Sequence, residues 1–170
     1  MARKIFALIR TAFFATLFLS LWLWFLPRWA AGPDAYAGAR AFGLLVLALG
    51  IAIAGWCAFE FAWRGLGTPA PFDPPRRLVI SGAYRYVRNP MYVGGGIATI
   101  GEAIAFPHLT GFMLIMTAAL WVASTIFIAI YEEPVLRRMF GDDYVTYCAN
   151  VRRWIPRLTP FDMPKVPAVE

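Results

Sequence analysis

Four apolar runs leave this chain few folds to choose from. A helix needs about 20 apolar residues, in the range of roughly 17–25, to cross the hydrocarbon core of a bilayer. Ile5–Leu26, Phe42–Trp63 and Leu109–Tyr131 reach that length. Met91–Phe106 is shorter and carries Gly94, Gly95, Gly96, Gly101 and Glu102. Arg10 lies in the first turns of the first run, where its long stem lets the guanidinium snorkel to the headgroups. Pro27 is expected to end that run. Only Pro107-His108 separates the last two, so they are expected to form a tight antiparallel hairpin. The expected fold is all-α and polytopic: one domain of 170 residues with four transmembrane helices. Residues 1–63 supply two spans, 64–90 a cytoplasmic loop, 91–156 the hairpin and short C-terminal helices, and 157–170 a tail.

Composition agrees with a bilayer. Hydrophobic residues make up 60% of the chain and mean hydropathy is +0.59, far above a soluble domain. No small-residue cleavage site follows the first run, so no secretory leader is expected. A net charge of +6 on a soluble protein would raise nucleic acid as a partner. Here the basic residues flank apolar runs, and orientation in the membrane with anionic headgroups explains them better. With four spans, 14 Lys and Arg residues fall on the side of the termini and only Arg28 and Arg40 on the other. The positive-inside rule then puts both termini in the cytoplasm. Cys57 in an apolar run and Cys148 in the polar tail are not expected to pair, and one His with two separated Cys offers no metal-ligand cluster.

The polar sequence collects on that same side. Residues 64–82 are rich in Pro and Gly and read as loop. "YRYVRNPMYVGGG" (84–96) enters the apolar layer at Asn89-Pro90, with Pro90 suited to a first helical turn. Its glycines alone read best as a helix-packing surface. "YEEP" (131–134) ends the last run with two adjacent carboxylates, which are either interfacial ion-pair partners or functional groups. The hairpin brings Arg85, Arg88, Asn89 and Tyr92 opposite Glu132 and Glu133, a polar pocket able to hold a charged small molecule. Beyond it, Gly141 is expected to divide two short helices. Tyr144, Tyr147, Cys148 and Val151, at i, i+3, i+4 and i+7, mark an amphipathic face. Glu102 lies well inside the third run, either as a buried hydrogen-bonding group or as part of a substrate cavity.

"SGAYRYVRNPMYVGG", the short hairpin and "YEEPVLRRMFGDDYVTYCANVRRWIP" together resemble the isoprenylcysteine carboxyl methyltransferase and phospholipid methyltransferase superfamily, over about Arg76–Pro156. These are integral membrane enzymes that use S-adenosylmethionine. The resemblance implies a cofactor site made of Arg76, Arg77, Leu78, Val79 and Tyr84, then Asn89, Pro90, Met91 and Tyr92, with Glu132 as the acidic residue that holds the cofactor and Glu133 completing the pair. Carboxylates suit the cofactor's cations or its ribose. An arginine suits its carboxylate, and tyrosines suit the purine face. The carboxyl methyltransferases place a substrate-binding Arg four residues before the first Glu, where this chain has Ile128. The phospholipid enzymes carry a Gly-x-Gly in the preceding span, where this chain spaces Gly50 and Gly55 apart. The Asn-Pro-Met-Tyr and Tyr-Glu-Glu-Pro wording is closer to the phospholipid subtype and the closing Ile-Pro to the carboxyl subtype, so subfamily stays open.

The implied reaction is an in-line methyl transfer in which the protein chiefly positions its reactants. The acceptor is a lipophilic molecule or lipid arriving sideways from the bilayer. An amine acceptor needs a base, for which Glu133 and Glu102 are candidates. A carboxylate acceptor needs a cation, for which Arg85 and Arg88 are candidates. Three alternatives compete: an NADPH-binding reductase of the sterol type, a catalytically silent membrane scaffold, and a small transporter. The chain is short for the reductase, a scaffold has no need of the paired Glu with Asn-Pro-x-Tyr, and a transporter calls for polar residues spread through the spans where these cluster on one face.

Overall fold

The computed structural model describes residues 2–67 and 75–164. Helix is the regular structure throughout, and among the described residues there is no strand. The first rod joins α1 (Ala2–Ser20), a π-helical turn (Leu21–Phe25) and α2 (Leu26–Ala31). Pro27 does not end it, contrary to expectation; the rod runs on to Gly32, where φ is +74°. A proline inside a helix normally leaves the carbonyl four residues earlier without a donor. Here that acceptor is Leu23 O, and the Tyr36 hydroxyl donates to it at 2.8 Å. Tyr36 closes the short 3₁₀ turn Pro33–Tyr36, so the loop after the rod repairs the rod.

Helix α3 (Ala41–Glu60) continues into a second π-helical turn, Phe61–Gly65. Helix α4 (Pro90–Ala105) lies antiparallel against it. Small residues set the spacing. A Cβ on Gly43, Gly50 or Gly101 would overlap the backbone of Ala105, Ala98 or Leu47, and one on Gly94 would stand 2.7 Å from Ala54 N. Lipid tails are as apolar as side chains, so helices in a bilayer are held by close backbone approach of this kind. Of the three consecutive glycines, only Gly94 serves that interface. Gly96 faces the Trp121 ring, and nothing among the described residues comes within 4 Å of a Cβ at Gly95.

A 3₁₀ turn, Pro107–Leu109, reverses the chain into α5 (Thr110–Phe127), as the short connection requires. Thr117 Oγ1 donates to Thr99 Oγ1 at 2.8 Å and Thr110 Oγ1 to Ala103 O at 2.7 Å across the hairpin. Ala35, Ala103, Ala105, Phe106, Leu109 and Met113 form the core at that end. A third π-helical turn, Ile128–Glu132, leads into α6 (Glu133–Asn150). Gly141, at φ +52°, breaks α6 into the two short helices expected.

The span count needs correction. Among the described residues, three helices are long and apolar enough to cross a membrane: Lys4–Ala31, Ala41–Gly65 and the apolar part of Pro107–Asn150. The expected fourth span is α4, which has only 16 residues. At about 1.5 Å per residue that is roughly 24 Å, short of a hydrocarbon core of about 30 Å. Pro90 fixes its start and Phe106-Pro107 its end, and α4 shelters between α3 and α5 instead of facing lipid along its length. Cys57 and Cys148 are both free thiols.

Candidate functional site

The loop after α3, the start of α4 and the two parts of α6 meet at one end of the bundle. Glu60, buried at the end of α3, fixes the loop from below: Ser81 Oγ donates to its Oε2 at 2.5 Å and Arg64 Nε lies 2.6 Å from the same oxygen. Pro90 begins α4 where its missing N–H costs nothing. Tyr84, Val79 and Cys57 pack together, with Met91 against them, and Tyr147 OH donates to Tyr84 O at 2.6 Å. The Tyr84 phenol is held well above its usual range by burial, so it stays protonated as a hydrogen-bonding wall.

Between these elements lies an open-mouthed cavity. Its walls are Leu78, Val79 and Tyr84 from the loop, Arg88 and Asn89 before α4, and Glu132 at the end of the π-helical turn. Phe61, Pro75, Leu136, Tyr144 and Tyr147 complete it. Glu132 is half-buried, with the Tyr92 hydroxyl at 3.5 Å from its Oε2. Arg88 NH1 lies 2.7 Å from Cys148 Sγ and 3.2 Å from Glu133 Oε1, whereas its Nε is buried with no partner among the described residues.

Six of the residues singled out in the sequence therefore line one cavity: Leu78, Val79, Tyr84, Arg88, Asn89 and Glu132. Tyr92 reaches it through Glu132, Met91 packs behind Val79 and Tyr84, and Pro90 is buried at the start of α4 outside the lining. Arg76 and Arg77 are exposed and stand outside the lining, with Arg76 N–H bonded to Gly65 O at 2.8 Å. Arg85 turns away to Phe161 O and the Asp162 carboxylate. Glu133 also stands outside the lining, with both oxygens bonded to Arg153 Nε and NH2 at 2.9 Å each. Those bonds push the Arg153 guanidinium up, so it stays charged. Glu102 is 1% exposed, away from this cavity, with both oxygens unpartnered among the described residues.

Some residues in and around the cavity carry no sequence signal. Phe61 is one more aromatic at the end of an apolar run, and Arg153 one more arginine in a basic tail. Tyr144 and Tyr147 were legible as a buried amphipathic face, which is where they lie, in a core with Val151 and Phe161. That their edges also wall a cavity depends on what α6 packs against.

Residues 39–143, more than half of the chain, match the model of the family described as phospholipid methyltransferase. The chain belongs to that family. No curated protein and no solved structure shows a significant match. Family membership makes the general activity that of a methyltransferase of the phospholipid type, and the three long apolar helices agree with an integral membrane protein. The matched segment takes in α3, the 64–90 loop, the α4–α5 hairpin and the first half of α6. It contains every lining residue of the cavity except Tyr144 and Tyr147.

Proposed function

We propose that this protein transfers a methyl group from S-adenosylmethionine to a lipid acceptor, with the cofactor held in the cavity between the 75–89 loop and α6. The observation that carries the reading is one open cavity lined by a half-buried carboxylate, Glu132, and an arginine, Arg88, whose Nε is buried with no partner among the described residues. The cofactor's ammonium and sulfonium, or its ribose hydroxyls, call for an acceptor such as Glu132. Its carboxylate calls for donors such as Arg88 and Asn89. Tyr84, Tyr144, Tyr147 and Phe61 provide aromatic surface for a purine.

When bound, S-adenosylmethionine supplies an electrophilic methyl on a sulfonium that already leaves well. The residues of the chain then have to orient that methyl and exclude water. Lys4 lies over the Trp63 ring at the end of the bundle that holds the cavity, and the basic residues gathered at that end favour a cytoplasmic cavity with both termini on that side. Incubating the purified protein with methyl-labelled S-adenosylmethionine and a lipid extract should label a lipid. A protein that binds NADPH and leaves every lipid unlabelled would overturn the reading.

A further inference from the structure

Glu133 looks from the sequence like a base beside the cofactor, but its surroundings give it other work. It is 8% exposed, stands outside the cavity lining, and offers both oxygens to Arg153 and one also to Arg88. A general base must reach the proton it removes with a free lone pair. Three guanidinium contacts already occupy both oxygens of Glu133, which stands away from the cavity.

Arg153 belongs to residues 151–162, which run over the wall of the cavity as a strap. Arg88 N–H donates to Arg152 O at 3.0 Å, Arg157 N–H to Tyr86 O at 2.9 Å and Phe161 N–H to Arg85 O at 3.0 Å. Asn89 Nδ2 donates to Arg153 O at 3.2 Å. The Trp154 ring packs on Trp121 with centroids 4.5 Å apart, while Phe161 enters the core of Tyr144, Tyr147 and Val151. Two polar groups of the cavity thus depend on one ion pair. Asn89 is held by the Arg153 carbonyl, and Arg88 is held by the carboxylate that Arg153 grips.

We infer that Glu133 and Arg153 form the clasp of this strap. They are positioning residues that keep Arg88 and Asn89 aligned with Glu132 across the cavity, and neither handles a proton of the substrate. This rests on the cavity being the cofactor site. A bidentate Arg–carboxylate pair suits such a role, because it fixes orientation as well as distance.

The test compares Glu133→Gln, Arg153→Gln and the double variant with the wild type in detergent, with Arg153→Lys as the milder change. Three quantities are read: S-adenosylhomocysteine affinity by calorimetry, kcat at saturating cofactor, and the rate of tryptic cleavage after Arg157. Each single variant should bind on the order of tenfold more weakly. The double variant should be no worse than either, since partners in one interaction are not additive. Under saturation kcat should stay within about threefold, because lost positioning is then offset by mass action. Cleavage should be faster in every variant and slowed by S-adenosylhomocysteine. Wild-type affinity in Glu133→Gln with kcat collapsed and a limb of the pH–rate profile gone would overturn the clasp and restore the base. Additive losses in the double variant would also overturn it. If the wild type binds no S-adenosylhomocysteine, the cofactor reading fails instead. The tryptic rates still decide the clasp then, and unchanged cleavage in Glu133→Gln and Arg153→Gln would sink it.

Discussion

Glu132 and Glu133 are adjacent in the chain and face different surroundings: Glu132 lines the cavity beneath the Tyr92 hydroxyl, and Glu133 is gripped by Arg153 with two bonds of 2.9 Å. Successive helical residues point about 100° apart, so only one of an adjacent pair can face a given wall. The π-helical turn Ile128–Glu132 sets which one. Turns of this kind often occur at functional sites because they re-aim the side chains that follow.

Glu132→Gln should therefore weaken S-adenosylhomocysteine binding by roughly 10- to 100-fold, the equivalent of about 1.5–3 kcal/mol for a hydrogen bond to a charged group. Thermal stability should change little, since Gln keeps the shape and Tyr92 keeps an acceptor. Calorimetry on Glu132→Gln, with Glu102→Gln as the control for loss of an unconnected buried carboxylate, checks this. Unchanged affinity in a folded Glu132→Gln protein would remove Glu132 from the site.

Tyr36→Phe tests how the first rod tolerates Pro27. The substitution keeps the ring on Phe106, centroids 4.9 Å apart, and removes the donor to Leu23 O. An acceptor left unsatisfied in an apolar setting costs about 1–3 kcal/mol. The melting temperature in detergent should fall by several degrees with cofactor affinity unaltered.

The α3–α4 seam makes a sharper stability prediction. Gly101→Ala puts a methyl where the Leu47 backbone lies, so the helices must separate and stability should drop by about 1–3 kcal/mol or more. Gly55→Ala, where nothing lies within 4 Å of the new Cβ among the described residues, should be neutral or stabilising by up to about 1 kcal/mol. Thermal unfolding of the two variants side by side gives the comparison. Equal effects would mean that the seam is looser than these contacts imply.

Position 128 offers a test of acceptor choice. Ile128 is 1% exposed within the π-helical turn, one helical turn before Glu132, and brings no cation. A small prenylcysteine analogue should be methylated poorly or not at all, because its carboxylate finds no arginine there. Robust turnover of that analogue by the wild type would show that another cation, such as Arg88, has taken the role.

Much of this protein was legible in one dimension. Apolar run length fixed the helical class, because a bilayer demands internal satisfaction of every backbone group over a set thickness. The two-residue Pro107-His108 link fixed the hairpin and thereby the meeting of Asn89, Tyr92 and Glu132. Gly141 marked the break in α6, since φ +52° is open chiefly to glycine.

Other features needed the folded chain. Pro27 read as a helix end because its rescuer, Tyr36, lies nine residues further on and reaches back through a turn. The 91–106 run read as a span, short as it is, because its apolar letters do not show that two longer helices shelter it. Above all, Glu132 and Glu133 are indistinguishable as letters. Their separate surroundings arise from helix phase, from a π-helical turn and from a strap that returns about 20 residues later. Sequence determines which groups a segment owns and how far it can reach. Which of them face one another across a cavity is decided by packing, because that depends on contacts between segments distant in the chain.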